Sequence, residues 1–126
     1  MYFNSRRSAI HAKHGMVATS QPLASMAGLR MLMNGGNAID AAVATAAALN
    51  VVEPMSTGVG GDLFSLIWIA KEKRVVALNA SGRAPSAAAI EDVIKAGHTS
   101  IPNTSAYAVS VPGTVNGWDT ILREYG

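Results

Sequence analysis

Residues 38–52 read AIDAAVATAAALNVV, a segment of helical length whose side chains are nearly all apolar and mostly alanine. Asn37 and Asp40 stand three positions apart, the spacing of a capping box, which predicts that the helix begins at residue 38. A helix that has no polar face must be covered by other structure on every side. A chain of 126 residues has difficulty supplying that cover alone, so this helix predicts that the chain is part of something larger.

The composition of the chain favours the same interpretation. Hydrophobic residues make up 49% of the sequence, and only 14% of the residues are charged, against about 25% in an ordinary soluble domain. A chain of this length can bury roughly two-thirds of its extended surface, so a sizeable core is possible. The shortage of charge indicates that part of the surface is reserved for contact with other protein.

Charge and residue usage exclude several classes of protein. Ten Lys and Arg stand against eight Asp and Glu, without a basic stripe interleaved with aromatics, so nucleic acid is not an expected partner. The absence of cysteine excludes disulfides, thiolate zinc sites and a cysteine nucleophile within this chain. His11, His14 and His98 show no metal-ligand spacing with acids and are expected to be solvated. Neither a metal nor another cofactor is therefore expected.

Neither a membrane segment nor a targeting signal is recognisable in the sequence. No apolar run reaches the length of about 20 residues that a membrane helix needs. The two arginines at the start, Arg6 and Arg7, are not followed by an apolar run of signal-peptide length. The expected location is the cytoplasm.

Hydrophobic spacing divides the chain into a leader, residues 1–13, and a layered α+β domain, residues 14–126. Helices are predicted over 22–34, 38–52, 86–97 and 114–126, and strands over 15–20, 63–70, 75–81 and 105–111. The glycine pair at 35–36 is expected to end the first helix in a left-handed turn. The strands flanking the polar turn KEKR are expected to form an antiparallel hairpin. The core face of the first helix is predicted to carry Leu23, Met26, Ala27, Met31 and Leu32.

The loop STGVGGD, residues 56–62, contains three glycines and ends in an acid. A phosphate-binding loop needs a strand before it and a helix after it, whereas here the predicted order is helix, loop, strand. The glycines at 58, 60 and 61 would permit a tight turn or a close backbone approach. An alternative is that Gly60, Gly61 and Asp62 line a pocket. Asp62 itself fits a turn or cap residue better than a catalytic acid.

Arg83, in the stretch LNASGRAPSAA, has no acidic neighbour in sequence. Residues alternate sides along a strand, so Asn79, Ser81 and Arg83 share one face at its end. A structural ion pair with a distant acid, or simple exposure, would account for this arginine. The functional alternative is that its guanidinium fork grips a substrate carboxylate in a bidentate pair.

Two stretches carry a family resemblance that covers nearly everything from His14 onward. Residues 14–64, with the specific run GGNAIDAAVA…NVVEP, resemble the start of a γ-glutamyltransferase large subunit, and VPGTVNGWDTILREYG resembles a later segment. The resemblance implies the four-layer αββα fold of N-terminal-nucleophile (Ntn) hydrolases, of which this chain would be the N-terminal portion. It also implies a proenzyme that cuts itself, so that a new N-terminal threonine attacks an amide and forms an acyl-enzyme. No segment matching that threonine occurs here, so the chain alone is expected to be inactive.

The sequence departs from the family pattern at one position of the expected substrate site. Typical members carry LDFRE-x-AP, whose arginine binds the α-carboxylate of the glutamyl group. Aligned on Ala84 and Pro85, that position holds Ser81, and Arg83 lies two residues later, displaced by about 6.5 Å along a strand. The form NASGRAP resembles the γ-glutamyltransferase-like branch, which includes oxamate amidohydrolases and relatives of cephalosporin acylases. Arg83 and Ser81 are thus the expected substrate-binding residues.

Two hypotheses about function follow from the sequence. The first is a large-subunit fragment of an amidohydrolase or acyltransferase. Its partners would be a small-molecule amide bearing a carboxylate and the small subunit that carries the nucleophile, with further homo- or hetero-oligomers possible. The second is a non-catalytic binding or scaffold chain that retains the fold without the nucleophile.

Overall fold

The computed structural model describes residues 8–126; residues 1–7 of the predicted leader lie outside that range. Residues 8–13, the rest of the leader, are exposed and belong to no helix or strand. The described chain forms a small α+β unit with a single hairpin sheet. Its helices are α1 (Pro22–Met33), α2 (Ala38–Val52), α3 (Ile90–Lys95) and α4 (Thr114–Tyr125), and its strands are β1 (Leu63–Ile69) and β2 (Arg74–Ala80).

The turn between α1 and α2 follows the sequence prediction closely. Gly35 adopts a φ of 90°, and the amides of Gly35 and Gly36 donate to the carbonyls of Leu32 and Met31. This is a Schellman motif, which satisfies carbonyls that the end of a helix leaves free. The capping box of α2 is also confirmed. The Asn37 side chain accepts from the amide of Asp40, and the Asp40 carboxylate accepts from the amide of Asn37 at 2.8 Å.

Small residues, rather than large ones, make the contact between α1 and α2. Ala24 is fully buried, and Gly28 is buried and faces the α2 residues Ala41 and Thr45. A Cβ on Gly28 would lie 2.2 Å from the Thr45 hydroxyl. The Thr45 hydroxyl donates to the Ala41 carbonyl at 2.7 Å, so its burial leaves no unpaired polar group.

The predicted core face of α1 is wrong for its largest side chains. Leu23 is 64% exposed and Met26 is 58% exposed, and Met31 is also exposed, whereas Ala27 and Leu32 are half-buried. Helical spacing alone cannot tell which apolar stripe meets the neighbouring helix. Here the close approach of the two helix axes requires the smallest side chains at the contact, and the large ones project outward.

The hairpin confirms the two strands around the turn KEKR. The strands pair antiparallel, with Leu63 opposite Ala80 at one end and Ile69 opposite Arg74 at the turn. One face of this sheet packs against α4. A Cβ on Gly117 of α4 would lie 2.7 Å from the Ala80 Cβ, so the helix rests directly on the end of β2. Asn37 joins the start of α2 to the end of α4, because its side-chain amide donates to the Tyr125 carbonyl at 2.5 Å.

Three sequence predictions fail in the described residues. Residues 15–20 and 105–111 were expected to be strands, but neither forms a ladder, and Ala106–Ala108 is a short 3-10 helix. A strand needs a partner, and the described part of the chain offers none to either segment. The helix predicted over 86–97 is reduced to α3, because residues 86–89 form a turn and an extended stretch instead. Gly97, with a φ of 80°, does end that segment as expected.

The outer face of the hairpin is apolar and uncovered in the described chain. Phe64 is 66% exposed, Leu66 80% and Trp68 60%, with Val75 58% exposed on the neighbouring strand. Antiparallel sheets that face water normally carry polar side chains there. In α2 only Ala41 and Thr45 are buried, and Val51 is 79% exposed. The cover that the α2 sequence requires is thus not supplied by residues 8–126, and neither is the second sheet of a four-layer sandwich.

Among the described residues, no helix combines the length and the apolar character needed to cross a membrane.

We expect the isolated 126-residue chain to aggregate or to remain molten, because the outer hairpin face and α2 would meet water directly. Size-exclusion chromatography followed by calorimetry at neutral pH measures this. A soluble monomer with a sharp cooperative melting transition would contradict the expectation.

Candidate functional site

A cavity of about 850 Å³ opens where β2 ends and the chain runs toward α3. Asp62, Ser81 and Arg83 all line it, so the structure brings together three of the five residues singled out in the sequence. Gly61 lines a smaller neighbouring cavity, which Asp62 also borders. Gly60 is exposed, with no atom within 4 Å of where its Cβ would stand. The GVGGD loop therefore contributes Asp62 directly to the site, and Gly61 indirectly.

Gly61 ties the glycine-rich loop to the start of α4. Its carbonyl accepts the amide of Gly113 at 3.0 Å and that of Thr114 at 3.1 Å. These are amides that the first turn of a helix leaves without an internal partner. The Gly61 amide in turn donates to the Gly58 carbonyl at 3.1 Å, which closes a tight turn. Asp62 follows this anchored residue, so its position is set by hydrogen bonds within the backbone.

Gly82 and Gly113 allow three backbone segments to meet beside Arg83. A Cβ on Gly82 would lie 1.8 Å from the Val111 carbonyl oxygen, and a Cβ on Gly113 would lie 2.0 Å from the Ala80 carbonyl oxygen. Neither distance is compatible with a side chain, so only glycine fits at either position. The end of β2 and the segment before α4 are thus in direct backbone contact. We call these segments, with Gly61, the glycine junction.

Arg83 is exposed and takes part in no ion pair with a described residue. The ion pairs of the described chain join Glu72 to Arg74 and Asp119 to Arg123. An ion pair with another residue of 8–126 therefore does not account for the position of Arg83. The two remaining explanations are simple exposure to solvent and contact with a ligand. Ser81 is held locally, because its amide donates to the Asn79 side chain at 3.0 Å.

The cavity contains polar residues that sequence reasoning did not connect to the site. The Ser110 hydroxyl donates to the Asp62 carboxylate at 3.3 Å, a long and hence weak hydrogen bond. His98, expected to be solvated, is half-buried in the cavity wall, and Asp92 and Tyr107 also line it. Ser110 lies 48 residues from Asp62, so no local sequence pattern could have paired them.

Most of the remaining cavity wall is apolar. Arg83 lines the same cavity as α3 and residues 98–101, 107 and 109–111. The aliphatic lining residues of this cavity include Ile90, Val93, Ile94, Ile101, Val109 and Val111. A charged fork beside an apolar wall is the usual design of a pocket that orients a small molecule by one polar contact.

The electrostatics of the site come from Arg83, Asp62 and Asp92, three charges around one cavity. The pKa of Arg74 is raised by its hydrogen bond to Glu72, but this pair lies at the hairpin turn, far along the strands from Arg83. In residues 8–126, no group of three or more His, Cys, Asp or Glu side chains is arranged to hold a metal ion.

A family model described as gamma-glutamyltranspeptidase matches residues 24–126. The chain belongs to the gamma-glutamyltranspeptidase family. It corresponds to the N-terminal portion of the family's members.

Relatives with different stated activities share this portion of the chain. The glutathione hydrolase proenzyme of Bacillus subtilis is 43% identical over 118 residues, which are 90% of this chain and 20% of that protein. The oxamate amidohydrolase proenzyme of Klebsiella pneumoniae is 46% identical over 111 residues, 87% of this chain and 20% of that protein. The crystal structure of cephalosporin acylase from Bacillus halodurans superposes with a TM-score of 0.87 at 48% identity. The superposition covers 98% of this chain and 23% of the acylase chain. The chain thus spans about a fifth of these relatives.

Replacing Gly82 by alanine should disrupt the glycine junction, because the added Cβ would collide with a backbone carbonyl. Overpacking of this kind costs roughly 1–3 kcal/mol, and we expect the upper end, since the backbone cannot turn aside as a side chain can. The measurement is the melting temperature of the protein as it occurs naturally. Gly58→Ala is the matched control, because nothing lies within 4 Å of its Cβ position. Equal melting temperatures for the two variants would contradict the close approach.

Proposed function

We propose that this chain is the N-terminal part of the large subunit of an Ntn-type amidohydrolase or acyltransferase. The reaction is cleavage of an amide, γ-glutamyl or related, through an acyl-enzyme on a threonine outside residues 1–126. The single observation that carries the proposal is the cavity in which Arg83, Ser81 and Asp62 meet, in a chain of this family. Arg83 is available there for a ligand, because it has no acidic partner among the described residues.

The relatives support amide cleavage as the class of reaction. Those compared above are a glutathione hydrolase, an oxamate amidohydrolase and a cephalosporin acylase, and each name denotes the breaking of an amide bond. The first two are also named proenzymes, which supports a precursor that is cleaved to form the active protein. Since about four-fifths of their length lies outside the matched region, the nucleophile and the small subunit belong to that remainder in our proposal.

In this reaction the threonine hydroxyl oxygen attacks the carbonyl carbon of the amide. The new C–O bond forms the ester of the acyl-enzyme, the C–N bond breaks, and the amine leaves with the proton. Water or a second amine then attacks the ester and restores the threonine. The part assigned to residues 8–126 is positioning, because holding the substrate by its carboxylate fixes the amide against the nucleophile.

Arg83 is the residue assigned to the substrate carboxylate, with Ser81 as a neighbouring polar contact. Its planar fork suits a carboxylate better than a lysine ammonium does, because two parallel N–H···O bonds can form. Asp62 lies at the same cavity, so a substrate carboxylate is directed toward Arg83 and away from the acid. Asp62 with Ser110 would accept hydrogen bonds from a substrate amine or hydroxyl.

The uncovered apolar surface fits a chain that is completed by further structure. In the proposed whole protein, a second sheet covers the face made by Phe64, Leu66 and Trp68, which gives the four-layer αββα arrangement. The opposite face of the hairpin already carries α4. This arrangement would remove from water the side chains that are most exposed in residues 8–126.

A non-catalytic scaffold is the second candidate, and it rests on the same structure. A chain that keeps the glycine junction and the cavity without a nucleophile would still bind carboxylates at Arg83, but would cleave nothing. The two candidates differ in whether the longer protein is cut and whether it turns over an amide.

Denaturing mass spectrometry of the complete protein should show two chains, with residues 8–126 in the larger one, if cleavage creates a threonine nucleophile. Activity should survive a chelator, since a threonine mechanism requires no metal. A single uncut chain that hydrolyses amides would contradict the mechanism, and an uncut chain without turnover would favour the scaffold.

Arg83→Ala should lower kcat/KM for carboxylate-bearing amides by about one to two orders of magnitude. A hydrogen bond to a charged group contributes roughly 1.5–3 kcal/mol, and each 1.36 kcal/mol corresponds to about tenfold in rate. Arg83→Lys keeps the charge but not the fork and should recover only part of the loss. The melting temperature should hardly change, because Arg83 is exposed.

Arg123→Ala is the matched control for this series, since Arg123 pairs with Asp119 on the exposed side of α4. A substrate amidated at its carboxylate should be cleaved equally by the Arg83 variants and the unaltered protein. An equal loss of kcat/KM on both substrates, or unfolding of the Arg83 variants, would indicate that Arg83 has a structural role instead.

A further inference from the structure

The cavity that holds Arg83 has a polar part at the glycine junction. Arg83 follows Gly82, and the backbone of Gly82 closely approaches that of Val111. Ser110 precedes Val111, and its hydroxyl donates to the Asp62 carboxylate at 3.3 Å. Backbone contacts therefore hold Arg83 and Asp62 at the same part of the cavity.

The apolar part of the cavity, which we call the aliphatic wall, consists of residues of α3 and of the segments after it. Its members are Ile90, Val93, Ile94, Ile101 and Val109. The three that belong to α3 share one face of the helix, because helical neighbours are three and four residues apart. Glu91 and Lys95 do not line the cavity. The short helix thus turns its apolar side toward the cavity.

The side chains of the aliphatic wall do not build a core within residues 8–126. No residue of α3 is buried, and Ile90 is 71% exposed, Ile94 62% and Val109 74%. Exposed apolar side chains that line a concave surface are typical of a ligand-binding site. The wall therefore favours an apolar ligand, and Arg83 in the same cavity adds a preference for a negative charge.

Apolar residues connect Arg83 to the aliphatic wall along the chain. Between Arg83 and Ile90, the residues that line the cavity are Ala84, Pro85, Ala87, Ala88 and Ala89. A carboxylate held by Arg83 therefore has small apolar side chains beside it and the wall beyond them. One molecule with a carboxylate and a hydrocarbon group would satisfy both parts of the cavity.

The size of the cavity distinguishes between acyl groups. Its volume of about 850 Å³ equals that of about 28 water molecules, at about 30 Å³ each. A glutamyl group has about nine non-hydrogen atoms, which on the same scale fill about a third of that space. Its ammonium would gain nothing from aliphatic side chains, because a charge loses hydration beside them. A larger hydrocarbon group would fill the cavity and cover the wall.

We propose that the aliphatic wall binds a hydrocarbon substituent on the carboxylate-bearing part of the substrate. The substrate class is an amide whose acyl group carries a carboxylate, held by Arg83, and an alkyl or aryl group beside that carboxylate. The amide bond itself points toward the threonine outside residues 1–126, whereas the wall begins next to Arg83 in this chain. The inference rests on the proposed function for the reaction, but binding of such a carboxylate requires only the cavity.

Straight-chain carboxylates test the aliphatic wall without any turnover. Butanoate, hexanoate and octanoate should bind to the protein as it occurs naturally, and equilibrium dialysis measures each Kd. The Kd should fall about twofold to fourfold for each added methylene, the larger factor corresponding to complete burial. Octan-1-ol has the chain without the charge, so it should bind about tenfold more weakly than octanoate or worse. Arg83→Ala should reduce the affinity for octanoate to that for octan-1-ol.

Ile94→Gln puts a polar amide into the aliphatic wall and should raise the Kd of octanoate about fivefold, the equivalent of one to two methylene contacts. The Kd of butanoate, whose short chain does not reach α3, should hardly change. Ile90→Gln should act in the same direction. Val115→Gln is the matched control, because Val115 is 54% exposed on α4 and does not line the cavity.

A Kd that does not depend on chain length would overturn the proposal. Chain-length dependence that is undiminished in both Ile94→Gln and Ile90→Gln would also overturn it, since the chain would then bind elsewhere. The melting temperature of each variant is the second measurement. Unfolding of both variants would indicate that protein, and not a ligand, covers the wall, and would equally overturn the proposal.

Turnover of a substrate series separates this proposal from the proposed function. The 5-anilides of glutaric acid and of 2-methyl-, 2-propyl- and 2-pentylglutaric acid keep one spacing between carboxylate and amide and lengthen only the substituent. With an active enzyme, kcat/KM should rise by about twofold to fourfold for each methylene. Hydrolysis of all four anilides at the same rate would contradict only the role of the wall. Chain-length-dependent binding without hydrolysis of any anilide would contradict only the enzyme.

Discussion

The carbonyl of Gly61 holds the candidate site together, because it accepts the amides of both Gly113 and Thr114. Through these two bonds the glycine-rich loop is attached to the start of α4, and the close approach of Gly82 to Val111 attaches the end of β2 to the same place. Asp62 and Arg83 each follow directly from one of these anchored backbones. Their placement at one cavity is therefore a consequence of backbone packing and not of contact between their side chains.

Exposed apolar surface is the second feature that characterises the described residues. The described residues bury few large side chains, and the outer hairpin face and the end of α2 remain in contact with water. The buried contact between α1 and α2 is made by small residues, so it orients the two helices closely without enclosing a large core. Such a unit gains little hydrophobic stabilisation from the described residues alone.

The difference between this chain and the usual family pattern concerns the position of one arginine. The resemblance predicts that Ser81 takes the place of the arginine in that pattern, and the structure puts Ser81 and Arg83 at the same cavity. Proteins that share 43–48% of these residues bear names for glutathione, oxamate and cephalosporin substrates. Relatives with different stated substrates thus share one framework, and in our proposal the apolar lining of the cavity accommodates acyl groups of different size.

The sequence by itself determined the local structure. Four features were predictable because they depend on hydrogen bonds or spacing within a few residues. They are the capping box of Asn37 and Asp40, the glycine turn after α1, the hairpin around KEKR and the final helix. The segments 15–20 and 105–111 were not, because whether an extended segment becomes a strand depends on a partner elsewhere. The buried face of α1 and the meeting of Asp62 with Ser110 were likewise decided by tertiary structure, since they rest on close contacts between residues far apart in the chain.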